Sequence, residues 1–174
     1  MDTILYATDC SRNSISTLNY AKNLGETLKA KLIVFHVYDI PPVGTSNIRS
    51  SEQLKVLAMN EQKELVAEYC RNNLDQNLNK DQLICEVSEN TSISKAISDK
   101  IKKDTIDLLI IGMKDEHSAR GFFSGNIANK LIDKNLCPIL IIPPKYSYKK
   151  IEKMVYASDF ESADIIAIEK MSEI

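Results

Sequence analysis

Short apolar runs alternate along the chain with stretches whose apolar residues recur every three or four positions. Thr3 to Thr8 is a run suited to a strand buried on both faces. Arg12 to Leu28 follows, with Ile15, Leu18, Ala21, Leu24 and Leu28 at helical spacing. Leu32 to Val37 predicts a second strand, rich in branched and aromatic residues. Pro41 to Gly44 breaks regular structure, and a long charged helix is expected from Ser51 to about Leu74. Leu83 to Val87 predicts a third strand; Ile93, Ala96, Ile97 and Ile101 mark a third helix. Ile106 to Ile111, nearly all apolar, predicts a fourth strand. Ile127, Ala128, Leu131 and Ile132 mark a fourth helix, and Ile139 to Ile142 a fifth strand stopped by Pro143-Pro144.

Strands joined by helices return to the same sheet through crossovers and so run parallel. Almost continuous apolar strands mean that helices cover both faces. The expected fold is therefore α/β, an open doubly wound five-stranded parallel sheet. Such a sheet receives ligands outside the carboxyl ends of its strands, near the point where strand order reverses. Those ends carry Asp9-Cys10-Ser11, Tyr38-Asp39 and Gly112-Met113-Lys114.

The pattern then starts again. Ile4-Leu5-Tyr6-Ala7-Thr8-Asp9 is echoed by Met154-Val155-Tyr156-Ala157-Ser158-Asp159, and at the same shift Ile15 matches Ile165 and Leu18 matches Ile168. This period is far longer than the roughly 20–50 residues of a solenoid repeat. The expected organisation is a complete domain over 1–144, a linker at 145–150, and the start of a second, incomplete repeat at 151–174. The repeat start should supply a strand and a helix. Its apolar residues, from Met154 to Met171, should pack on the complete domain or on another copy, near Ile139 to Ile142.

Composition narrows the picture by exclusion. A net charge of −2 gives no basic field to recruit nucleic acid or anionic membrane. Lys145, Lys149, Lys150 and Lys153 cluster between the two units, as expected of a solvated linker. The four cysteines stand singly, without a C-x-x-C pair or a histidine at metal spacing, so neither a disulfide framework nor a metal site is expected. Asp2 replaces the basic start of a signal peptide, and no apolar run approaches a membrane span. These features predict a cytoplasmic protein.

Two segments could carry chemistry. Asp9 sits between a strand and a helix, where an acid either caps the helix or meets a ligand. The stretch from Gly112 to Asn126 holds three of the five glycines, and glycine permits close backbone approach. The helix start at Gly125-Asn126 would offer unpaired amides to an anion, with Asn126 as an alternative cap. His117 lacks a nucleophile pattern and reads as a solvated loop residue; His36 reads as a hydrogen-bonded residue of the core or a pocket wall.

These segments together resemble the universal stress protein family. The resemblance lies in Ile4 to Ser11, in Phe35-His36-Val37, in the glycine loop Gly112 to Asn126, and in Leu136 to Pro143. It covers residues 1 to about 143 and restarts near 151. It implies a Rossmann-like sheet of the adenine nucleotide alpha hydrolase type, with strand order 3-2-1-4-5. It also implies a dimer, or a pseudo-dimer of tandem domains, paired through the last strand. ATP-binding members carry G-x2-G-x9-G-[ST], and the matching positions here are Gly112, Asp115, Gly125 and Asn126. The spacing is kept, but Asp115 puts a negative charge where a glycine would face phosphates. The resemblance implies cofactor-binding positions at Asp9, Val37, Gly112, Met113, Gly125, Asn126 and Ile127, for an adenine nucleotide such as ATP with Mg.

The expected function is a non-enzymatic stress-response protein acting through dimerisation and ligand sensing, with no catalytic residue and a degenerate nucleotide loop. The alternative is an ATP-binding switch with at most slow hydrolysis. A phosphoacceptor domain of similar topology lacks its acidic pair here, and no P-loop motif occurs.

Overall fold

The structure, a computed structural model, describes residues 1–40, 51–75, 82–113 and 125–172. Five strands form one sheet: β1 (Thr3–Thr8), β2 (Lys31–Tyr38), β3 (Leu83–Glu89), β4 (Leu108–Gly112) and β5 (Ile139–Ile142). All pair in parallel, in the order β3-β2-β1-β4-β5 expected from the family resemblance. The helices between them are α1 (Ile15–Leu28), α2 (Ser51–Asn73), α3 (Ile93–Asp104) and α4 (Gly125–Ile132), and α5 (Ala163–Met171) follows the sheet.

Alternation along the strands builds two cores. Ile4 and Tyr6 of β1, with Leu108 and Ile110 of β4, face Leu18, Leu24 and Val66 of α1 and α2. Leu5, Ala7, Leu109 and Ile111 face Ile97, Ile101 and Leu131 of α3 and α4. Both faces are thus covered, which is why these strands read as unbroken apolar runs.

Element boundaries differ from expectation where side chains reach the backbone. Arg12 to Ser14 form a 3-10 turn, and the α-helix starts at Ile15. β4 begins at Leu108 because Asp107 is used ahead of it. Its carboxylate accepts from the amides of Asp2 at 2.7 Å and Thr3 at 2.9 Å, clasping the start of β1.

The segment after β5 departs most from expectation. Its lysines are exposed, but Tyr146 and Tyr148 are not solvated spacers. They pack on Tyr20 of α1 with ring centroids 6.1 and 5.2 Å away, and the Tyr148 hydroxyl lies 2.7 Å from Thr27 Oγ1. The strand expected at Met154 to Asp159 joins no ladder, whereas the expected helix forms as α5. The physical reason is the pairing a strand needs. β1 is held between β2 and β4, whereas Met154 to Asp159, which echo it in sequence, pair with no strand among the described residues.

The tail folds instead on itself. Residues including Ile151, Met154, Tyr156, Ile168 and Met171 line a groove of about 300 Å³. Burial raises the thiol of Cys137, just ahead of β5, and Lys170 of α5 is near enough to offset part of that rise. Val155 and Phe160 remain 96% and 94% exposed within the chain.

Candidate functional site

β1 lies between β2 and β4, so strand order reverses there and the carboxyl ends of these strands frame a crevice. The ends of β1 and β4 are side by side, since Ala7 pairs with Ile111 and the next residues are Thr8 and Gly112. Thr8 also pairs with His36 of β2, which puts Val37 one residue further along that neighbouring strand. Asp9, Val37 and Gly112, separated widely in sequence, thus share one end of the sheet.

Local hydrogen bonds fix the β1 end. Cys10 adopts φ 55°, in the left-handed region unusual for a residue with a side chain. Its amide donates to Thr8 Oγ1 at 3.0 Å, and the Ser11 amide donates to Asp9 Oδ1 at 3.0 Å. Asp9 therefore closes the turn ahead of the helix, while Ser14 occupies the N-cap position of α1.

Thr8 is the hub, and sequence reading passed it over. Its hydroxyl donates to Ser14 Oγ at 3.2 Å, and its carbonyl accepts from His36 Nδ1 at 2.9 Å. Ser14 Oγ donates to the Ser11 carbonyl at 2.7 Å and accepts from the Tyr69 hydroxyl at 2.7 Å. The Tyr6 hydroxyl donates to the Ser14 carbonyl at 2.9 Å. Burial pushes the Tyr6 phenol well above its ordinary range and raises Tyr69 as well, so both stay neutral donors. The one visible signal for this network was a run of hydroxyl residues around the first strand end. His36 matches its expected part as a hydrogen-bonded core residue.

At the β4 end, a Cβ on Gly112 would meet Thr17 Oγ1 at 2.7 Å. The missing side chain is needed for α1 to approach β4, whatever else approaches from outside. The Met113 amide is spent on the Ile142 carbonyl at 2.8 Å, while the Met113 side chain is exposed. Gly125 opens α4, which places Asn126 inside the first turn rather than at the cap. Asn126 is exposed and Ile127 packs on the α3–α4 core. Lys114, Asp115, His117 and Arg120 lie outside the described residues. Among the described residues no cluster of three His, Cys, Asp or Glu could hold a metal ion, and no helix is long and apolar enough to cross a membrane.

A family model described as "Universal stress protein family" matches residues 1–143. Among solved structures, the chain is similar to a universal stress protein family member from Burkholderia pseudomallei. The TM-score is 0.58 at 17% identity, over 82% of this chain and 96% of that one. It is also similar to a universal stress protein in complex with cAMP, with TM-score 0.58 and 16% identity over 81% and 96% of the two chains. A protein of unknown function from Pseudomonas aeruginosa PAO1 matches 99% of this chain but 51% of its own, with TM-score 0.52 and 17% identity. No curated protein matches.

Proposed function

The chain belongs to the universal stress protein family, and from that premise we propose that it is a non-enzymatic stress-response protein. It works through dimerisation and through sensing an adenine nucleotide in the crevice between β1 and β4. The observation that carries this reading is the convergence of Asp9, Val37 and Gly112 at neighbouring strand ends. In this reading the Val37 backbone meets the adenine and Asp9 lies by the ribose. The amides of Gly125, Asn126 and Ile127 face phosphate. ATP binding is weak, because Asp115 stands in the motif position of a glycine and repels a polyphosphate.

The similar structure that holds cAMP favours a second ligand class. A cyclic mononucleotide carries one negative charge, so Asp115 opposes it less than it opposes a triphosphate. Residues 151–174 are, in the same reading, the opening of a second domain. The match of the whole chain to half of the Pseudomonas aeruginosa protein supports that division.

Calorimetric titration with Mg-ATP and with cAMP tests the proposal. cAMP should bind more tightly than ATP. A dissociation constant for Mg-ATP in the low micromolar range or tighter overturns the weak-binding reading. Phosphate release faster than about one per second, within the ordinary enzyme range, overturns the non-enzymatic one.

A further inference from the structure

Beneath the turn at Cys10 two more cysteines meet. Cys70 lies in the last turn of α2 and is 4% exposed. Cys85 lies in β3, an edge strand, and is half-buried. Their sulfurs are 3.7 Å apart, with the residues fifteen positions apart in sequence. They face one another because α2 packs across β3 and both side chains join the core on that face of the sheet.

We propose that Cys70 and Cys85 form a peroxide-responsive dithiol that closes to a disulfide between α2 and β3. A disulfide sets its sulfurs about 2.0 Å apart, so the 3.7 Å gap closes by side-chain rotation and a small shift of the edge strand. This inference is independent of the nucleotide reading.

The two thiols have different parts. The hydrogen bond between the two sulfurs lowers the Cys85 thiol against the opposing effect of burial, and the nearby Arg71 guanidinium lowers it further. The same hydrogen bond, with burial, raises Cys70. Cys85 is thus both the better thiolate and the more accessible one, which suits it to react first. Its thiolate attacks the outer oxygen of a hydroperoxide. The O–O bond breaks, the alcohol or water leaves with a proton, and Cys85 becomes a sulfenic acid, oxidised by two electrons. The Cys70 sulfur then attacks Cys85. The S–S bond forms, hydroxide leaves, and the Cys70 proton makes it water. Cys10 is the third thiol nearby. Burial and the Asp9 charge push it up to about 12, which keeps it protonated and out of the reaction.

The test treats the full reduced chain with hydrogen peroxide, then counts alkylatable thiols and maps cross-linked peptides. Two of the four thiols should disappear, with Cys70 joined to Cys85 inside one chain. The Cys10→Ala and Cys137→Ala variants should form the same link. The proposal is overturned if all four thiols persist, or if the link joins other cysteines or two chains. It is also overturned if Cys85 proceeds to the sulfinic acid without a link, or if a folded Cys10→Ala variant no longer cross-links. Because the wild-type map is sufficient, the outcome does not depend on whether a Cys70 or Cys85 variant folds.

Discussion

Cys10 and Phe160 stand 150 positions apart and hold the same backbone conformation, at φ 55° and 65°. Each donates its amide to the hydroxyl two residues earlier, Cys10 to Thr8 at 3.0 Å and Phe160 to Ser158 at 2.9 Å. The likeness extends around both turns. Tyr6 and Thr8 converge on Ser14, and Tyr156 and Ser158 converge on Asp164, at the same shift. The turn is therefore encoded locally and forms whether or not its strand is paired. Proline at position 160 would delete that amide and forbid the positive φ. Phe160→Pro should disrupt the tail while leaving the melting of the five-stranded sheet and its helices unchanged, as read by amide exchange against thermal melting.

The tail leaves Val155, Phe160, Ile165 and Ile166 exposed. An apolar surface of that kind favours association. A chain ending at Lys150 keeps the tyrosine contacts and loses only this surface. Sedimentation should show it shifted from dimer toward monomer relative to the full chain. Identical sedimentation would make the tail a bystander to assembly.

Gly112→Ala should destabilise the fold by about 1–3 kcal/mol, the usual cost of overpacking a filled site. The new methyl would meet Thr17, itself 2% exposed. Adding Thr17→Ala should recover part of the loss in urea unfolding. No recovery would assign the cost to something other than the α1–β4 approach.

Lys100 of α3 is bonded to Glu86 of β3 and to Asp104, with its ammonium 6.0 Å from the centre of the Phe35 ring. Burial alone would lower the Lys100 ammonium, but bonds to the two carboxylates outweigh it and raise it. The bond from Lys100 lowers Asp104 below its ordinary 3.8. The lysine contribution is complete below its unfolded value of 10.5 and fades as pH rises through the raised folded value. The aspartate contribution is present above 3.8 and fades as pH falls through the lowered folded value. Lys100→Met should cost about 1 kcal/mol on the plateau between, a small figure because both carboxylates are partly solvated. The gap between variant and wild type should narrow toward both extremes of pH, measured by thermal melting.

Asp115→Gly combined with Asn126→Ser restores the motif positions of the ATP-binding members. Calorimetry should show ATP affinity rising at least tenfold, which corresponds to about 1.4 kcal/mol. An unchanged affinity would mean that the loop opposes nucleotide for a reason other than the charge at Asp115.

The sheet was readable because its inner strands, β1, β2 and β4, are buried on both faces. Leu108 to Ile111 can be little else when every residue is apolar and helices flank the run. The repeat misled at Met154 to Asp159, because a strand is a property of its neighbours and sequence similarity carries none with it. Gly112 was read toward a ligand; the close approach of Thr17 of α1, distant from it along the chain, had no local sequence signal. The link from Ser14 to Tyr69 spans 55 positions, and no local pattern announces a bond of that reach.

The chain has seven tyrosines and no tryptophan. Three of the seven, Tyr20, Tyr146 and Tyr148, form one cluster where the segment after β5 lies on α1. Its ultraviolet emission and near-ultraviolet dichroism therefore come without an overriding indole, and a large share arises at that junction. Lifting the segment away would separate the rings and change both signals. The protein carries a built-in optical gauge of whether the segment after β5 is seated on α1 or detached from it.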